Sequence, residues 1–191
     1  MKAVALTLSL LLLSACAAQP AIPSHYLLRA PATLETRPLY FTEEYALGNV
    51  TIAPYLDQPG LILETSEGTL RAARGHLWAE PLFEAVPHFL RQAISDALGA
   101  DLPPASLRPE SVQINIRLDQ MHGTPDGQAI LVADWWLNDG AGATNAFRFS
   151  RVEPLARDGY AALAEAQAAL LSKLARQIAR QLQDANPPPG A

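Results

Sequence analysis

From position 112 to 119 the chain alternates strictly. Val112, Ile114, Ile116 and Leu118 fall on one side, and Gln113, Asn115, Arg117 and Asp119 on the other. A period of two marks a strand with one buried face. Residues 129–137 form a second such strand. Its Leu131, Ala133, Trp135 and Leu137 point one way, and Ile130, Val132, Asp134 and Trp136 the other. Residues 145–152 form a third, with Phe147 and Phe149 inward. The intervening segments, 123–127 and 139–142, are short and rich in Gly, Pro and Asp, which predicts an antiparallel meander. The N-terminal half carries weaker strand signals at 25–29, 50–54 and 61–65. A Ser66-Glu67-Gly68 turn and a short extension over 69–71 follow the last of these. Residues 30–47, with Pro31, Pro38, Glu43 and Glu44, read as a long loop.

Two stretches switch to the helical period. Leu82, Phe83, Val86, Phe89, Leu90, Ala93, Ile94, Ala97 and Leu98 recur at i, i+3, i+4. Pro81 suits the first helical position and Gly99 the stop. Pro87 removes an internal donor, so a kink or a tight first turn is expected there. A second helix spans about 160–183, with Leu163, Ala166, Leu170, Leu174, Ile178 and Leu182 in its stripe. The order is βββαβββα. It predicts an α+β two-layer sandwich: a mostly antiparallel sheet of about six strands, with two amphipathic helices on one face. Leu90, Ile94, Leu170, Leu174 and Ile178 should then be buried against Ile114, Ile116, Trp135 and Phe147.

The N-terminus adds a cellular address. Lys2 precedes an apolar or hydroxyl run from Ala3 to Leu13, and Leu13-Ser14-Ala15-Cys16 closes it. This is the layout of a lipoprotein signal: residues 1–15 are removed and Cys16 carries the lipid, acyl chains such as palmitate included. The run is too short to span a bilayer, which takes about 20 residues. Residues 16–23 read as a tether, 24–184 as one folded domain and 185–191 as a Pro-rich disordered tail. Cys16 is the only cysteine, so no disulfide forms within the chain. The net charge of −5 gives no electrostatic case for nucleic acid.

Candidate chemistry is sparse. His25, His76, His88 and His122 are scattered and form no metal-ligand pair. There is neither a G-x-S-x-G elbow nor a phosphate loop after a strand. Glu43-Glu44 reads as solvated loop charge, and Asp134 as an exposed or partner-facing carboxylate. The reading is therefore no enzyme, no cofactor and no metal. Ile130, Val132 and Trp136 lie on the sheet face away from the helices. That face is either a contact surface, for a partner protein or a second copy of the chain, or is covered by the 30–47 loop.

Four segments together resemble the ABC-type transport auxiliary lipoproteins. They are His25-Tyr26-Leu27-Leu28, Val50 to Pro59 (VTIAPYLDQP), His76 to Leu82 (HLWAEPL) and Tyr160-Ala161-Ala162-Leu163. The resemblance implies a periplasm-facing lipoprotein, anchored in the outer membrane, that serves an MCE-type lipid transporter and meets its MCE-domain protein. A lipid-binding carrier is the alternative. Tyr55, Asp57, Trp78 and Glu80 lie in the most specific of these segments and join Ile130, Val132 and Trp136 as candidate partner contacts. For Trp78 to Leu82 a purely structural part, pinning the helix entry, stands beside the contact reading.

Overall fold

The computed structural model describes residues 22–30 and 39–185. Cys16, the expected signal segment, residues 31–38 of the expected loop and the expected tail from 186 lie outside the described residues. Among the described residues seven strands form one sheet: β1 (Ser24–Tyr26), β2 (Tyr45–Ile52), β3 (Gly60–Ser66), β4 (Thr69–Trp78), β5 (Val112–Gly123), β6 (Gln128–Asn138) and β7 (Ala143–Pro154). Two helices, α1 (Leu82–Leu98) and α2 (Tyr160–Ala185), pack on each other. α1 also packs on β2, and α2 on β5, β6 and β7.

The predicted meander is present: β5 pairs antiparallel with β6, and β6 with β7. The rest of the sheet departs from the sequence reading. The sheet is mixed, because β1 runs parallel to β4, and β2 and β3 run parallel to β5. Parallel neighbours need a long crossover: β3, β4 and α1 lie between β2 and β5, β4 and α1 between β3 and β5, and β2 and β3 between β1 and β4. The extension after Gly68 is a ten-residue strand, β4, so the order is ββββαβββα. Its alternation is broken where Gly60 pairs with Leu77 but Ile62 pairs with Ala72. Gly60 is required at that crossing, since a Cβ there would sit 2.4 Å from the Ala73 carbonyl oxygen. β2 starts at Tyr45, inside the stretch read as loop.

Pro81 is the residue before α1 rather than its first, with ψ at 134°. The helix continues through Pro87 and ends at left-handed Gly99, as predicted. Phe83, placed in the apolar stripe by periodicity, is 51% exposed. Leu90, Ile94, Leu170, Leu174, Ile178, Ile114, Ile116 and Trp135 are all buried in one core. Phe147 is only partly buried and stacks on Trp135 with ring centroids 4.2 Å apart. It sits on β7, an edge strand that α2 covers incompletely.

The helices run in the same direction. His76, two residues before the end of β4, stacks on Tyr160 at the start of α2 with centroids 4.2 Å apart. At the other end, Leu98 of α1 and Leu182 of α2 line one pocket with Tyr45. The 26 residues of α2 therefore span about 39 Å, at roughly 1.5 Å per residue, from one end of the molecule to the other. β1 marks the near end: Ser24 pairs with His76 and Tyr26 with Trp78.

Candidate functional site

Two surfaces gather the candidate residues. The first is the sheet face turned away from the helices. On β6, Leu131, Ala133 and Trp135 are fully buried under the helices, and Ile130, Val132, Asp134 and Trp136 take the opposite side. Ile130 and Trp136 are half-buried, while Val132 is only 8% exposed and so is largely covered within the chain. Asp134 is not isolated. Arg117 bridges Asp119 at 2.9 Å and Asp134 at 3.1 Å, and Arg148 reaches the same two carboxylates at 3.5 and 3.6 Å. The strong hydrogen bond and charge of Asp119, followed by Asp134, hold the Arg117 guanidinium above its ordinary pKa. This charge-balanced lattice flanks an open groove of about 410 Å³ that Trp136 and Ala146 also line.

A bulge between Leu118 and Gln120 shifts the register of β5. Beyond it the parity reverses. Met121 turns to the core, and His122 joins Ile130 on the outer face. His122 is buried there between two polar neighbours. Its Nδ1 lies 3.4 Å from the Tyr55 hydroxyl and its Nε2 lies 3.8 Å from Glu64. Burial pushes the His122 pKa down, against the opposing pull of Glu64. Tyr55 is pushed up, first by burial, against the hydrogen bond it accepts from the Met121 amide at 3.2 Å. The sequence reading did not single out the His122–Glu64 contact. The available signal was two apolar residues three apart, Leu118 and Met121, in a strand otherwise of period two.

The second surface is a corner at the near end. A short 3₁₀ turn, Pro54–Leu56, carries Tyr55, and Asp57 follows it. The Trp78 amide donates to the Pro59 carbonyl at 2.7 Å, and the Ala79 amide to the Tyr26 carbonyl at 2.8 Å. The three segments around Tyr26, Tyr55 and Trp78, distant in sequence, thus meet in space. Trp78 is buried at the strand–helix junction. Asp57 and Glu80 are exposed and line a pocket of about 260 Å³ with Pro59, Trp78 and Phe83. Ile130, Val132 and Trp136 belong to the sheet face, so the structure divides the seven candidate contacts between two places. Among the described residues no group of His, Cys, Asp and Glu is arranged to hold a metal ion, and no helix is long and apolar enough to cross a membrane.

The family model of the ABC-type transport auxiliary lipoprotein component matches residues 26–179, which is nearly all of the described fold. The chain belongs to that family. Among curated relatives of this auxiliary lipoprotein, the intermembrane transport lipoprotein PqiC of Escherichia coli (strain K12) is 28% identical over 135 residues. That alignment covers 70% of this chain and 71% of PqiC. PqiC of Shigella flexneri matches to the same extent. Two solved structures share the fold. One, of an uncharacterized protein, superposes with a TM-score of 0.73 at 23% identity, covering 85% of this chain and 99% of that one. The other, from Xanthomonas campestris, gives 0.66 at 16% identity, covering 85% and 100%. Membership makes this chain a transport-associated lipoprotein, in a family named for its place in a transport system and not for a reaction.

Proposed function

We propose that the protein is a non-enzymatic accessory subunit of an MCE-type lipid transport system, held by lipidated Cys16 in the outer membrane and facing the periplasm. It supports lipid trafficking between the two membranes by contacting the MCE-domain protein of that system. The observation that carries the reading is the family match over 26–179, and the apolar run ending in Leu13-Ser14-Ala15-Cys16 supports it. The intermembrane transport role in the name of the Escherichia coli relative supports it. Residues 16–24, even fully extended, reach about 28 Å at most, so β1 and the near end of the molecule stay close to the bilayer. The far end projects into the periplasm. Ile130 and Trp136 on the sheet face, and Asp57 and Glu80 on the corner, are the proposed partner contacts.

The test is co-purification from detergent-solubilised membranes with the MCE-domain proteins of the same cell. Stable recovery of the two together is expected, and Cys16→Ser should release the protein from the membrane fraction. Native mass spectrometry of the same preparation separates the carrier reading. One lipid held per monomer, with no MCE protein bound, would overturn the accessory-subunit reading.

A further inference from the structure

The corner pocket has features that neither the fold nor the anchor requires. Its walls come from two segments, the turn after Leu56 and the junction between β4 and α1. They are fixed in place. The Trp78–Pro59 and Ala79–Tyr26 backbone bonds tie the floor together, and the Gln58 side-chain amide donates to the Tyr55 carbonyl at 2.7 Å. Buried Trp78 forms the base, and half-exposed Phe83 leaves its helix stripe to form a wall. Asp57 lines it from the first segment and Glu80 from the second. Among the described residues neither carboxylate has an ion pair or hydrogen bond, and no basic side chain lines the pocket. Some other surface carboxylates are paired, Asp119 and Asp134 with two arginines, Glu165 with Arg157 and Glu153 with Lys173, whereas Glu67, Glu84, Asp96 and Asp126 are as free as these two, so it is their placement in one pocket beside Phe83 that sets Asp57 and Glu80 apart.

We propose that this pocket is a docking site for an arginine-bearing segment of a partner protein, with the guanidinium held between Asp57 and Glu80 and its aliphatic stem laid on Phe83. The chemistry selects this occupant. A volume of about 260 Å³ takes one long side chain and is below the usual range for a small-molecule site, about 300–1,000 Å³. Two unpaired carboxylates favour a cation and disfavour the anionic headgroups of a lipid. An exposed aromatic ring beside them suits arginine, whose planar cation stacks on ring faces and pairs with carboxylates through several donors. Because the walls are already fixed, little ordering cost falls on this side of the contact. The inference stands on the pocket alone and does not depend on which transport system the protein serves.

The test uses the full lipidated chain in detergent micelles and the peptide acetyl-Gly-Leu-Arg-Leu-Gly-amide, followed by NMR of the Phe83 ring and the Trp78 indole. Saturable shifts at these two rings are expected, and they should weaken as salt is raised. The Arg→Glu peptide should bind at least about tenfold more weakly. The double variant Asp57→Asn/Glu80→Gln should lose the arginine preference while melting as the parent does, since both side chains are exposed. Equal binding of the two peptides to the parent protein would overturn the proposal, whatever the variant does. So would shifts centred away from Phe83 and Trp78, or absence of binding by the arginine peptide.

Discussion

His122 shows what one buried titratable side chain does to this fold. Desolvation lowers its pKa, so it folds neutral, with Tyr55 on one ring nitrogen and Glu64 facing the other. The unfolded chain binds a proton near the ordinary value of 6.5, whereas the folded chain resists it to lower pH. The stabilisation is therefore complete above about pH 6.5 and is lost as pH falls through the depressed folded value. Urea unfolding between about pH 8 and 5 should show a plateau followed by a decline, and His122→Gln should flatten that decline. A decline of the same size in the variant would assign the effect to other groups. None of this was legible in the sequence. A lone histidine three residues past an alternating run gives no hint of Tyr55, which arrives from 67 positions away.

At the scale of elements, legibility followed the length of the connections. β5, β6 and β7 are joined by short turns, so their alternation and their antiparallel pairing could be read together. The parallel pairings of β1, β2 and β3 depend on crossovers, and no periodicity records which strand a crossover returns to. β4 was seen only as a stub because its register breaks around Gly60, and Arg71, Arg74 and Gly75 interrupt its apolar pattern. Both helices were legible from their stripes, except that Phe83 faces out. The buried seam gives a direct test. Leu174 is fully buried on α2, and Leu174→Ala should cost about 2–5 kcal/mol in chemical denaturation. Gly123 is a second. A Cβ there would lie 2.5 Å from the Leu63 Cδ2 and 3.0 Å from the Leu163 δ-methyls, so Gly123→Val should force both leucines to repack under α2. A melting temperature several degrees lower is expected, and an unchanged one would show that the two leucines repack freely.

At the scale of the whole molecule, the outer sheet face and the corner pocket make separable predictions. Trp136 is half-buried beside a charge-balanced lattice, and tryptophan is a frequent interface anchor. Trp136→Glu should leave circular dichroism unchanged and weaken the proposed assembly, read by light scattering and by recovery of the proposed MCE partner. Unfolding of the variant would return Trp136 to the monomer core. Of this site, the sequence showed which side chains share a face. It did not show that Val132 is covered, that Asp134 is locked between two arginines, or that Asp57 and Glu80 share a pocket, because each depends on strands brought together from elsewhere. The placement of β1 has a mechanical consequence. Any pull delivered through the N-terminal segment enters at Ser24, along the axis of a strand that lies parallel to β4. Its hydrogen bonds are then loaded sideways and all at once, rather than opened one after another from an end. The Tyr26 hydroxyl bonded to His76 at 2.8 Å, and the His76 ring stacked on Tyr160, pass that load on to α2. A strand of three residues thus couples the N-terminal segment, through His76, to the longest helix among the described residues.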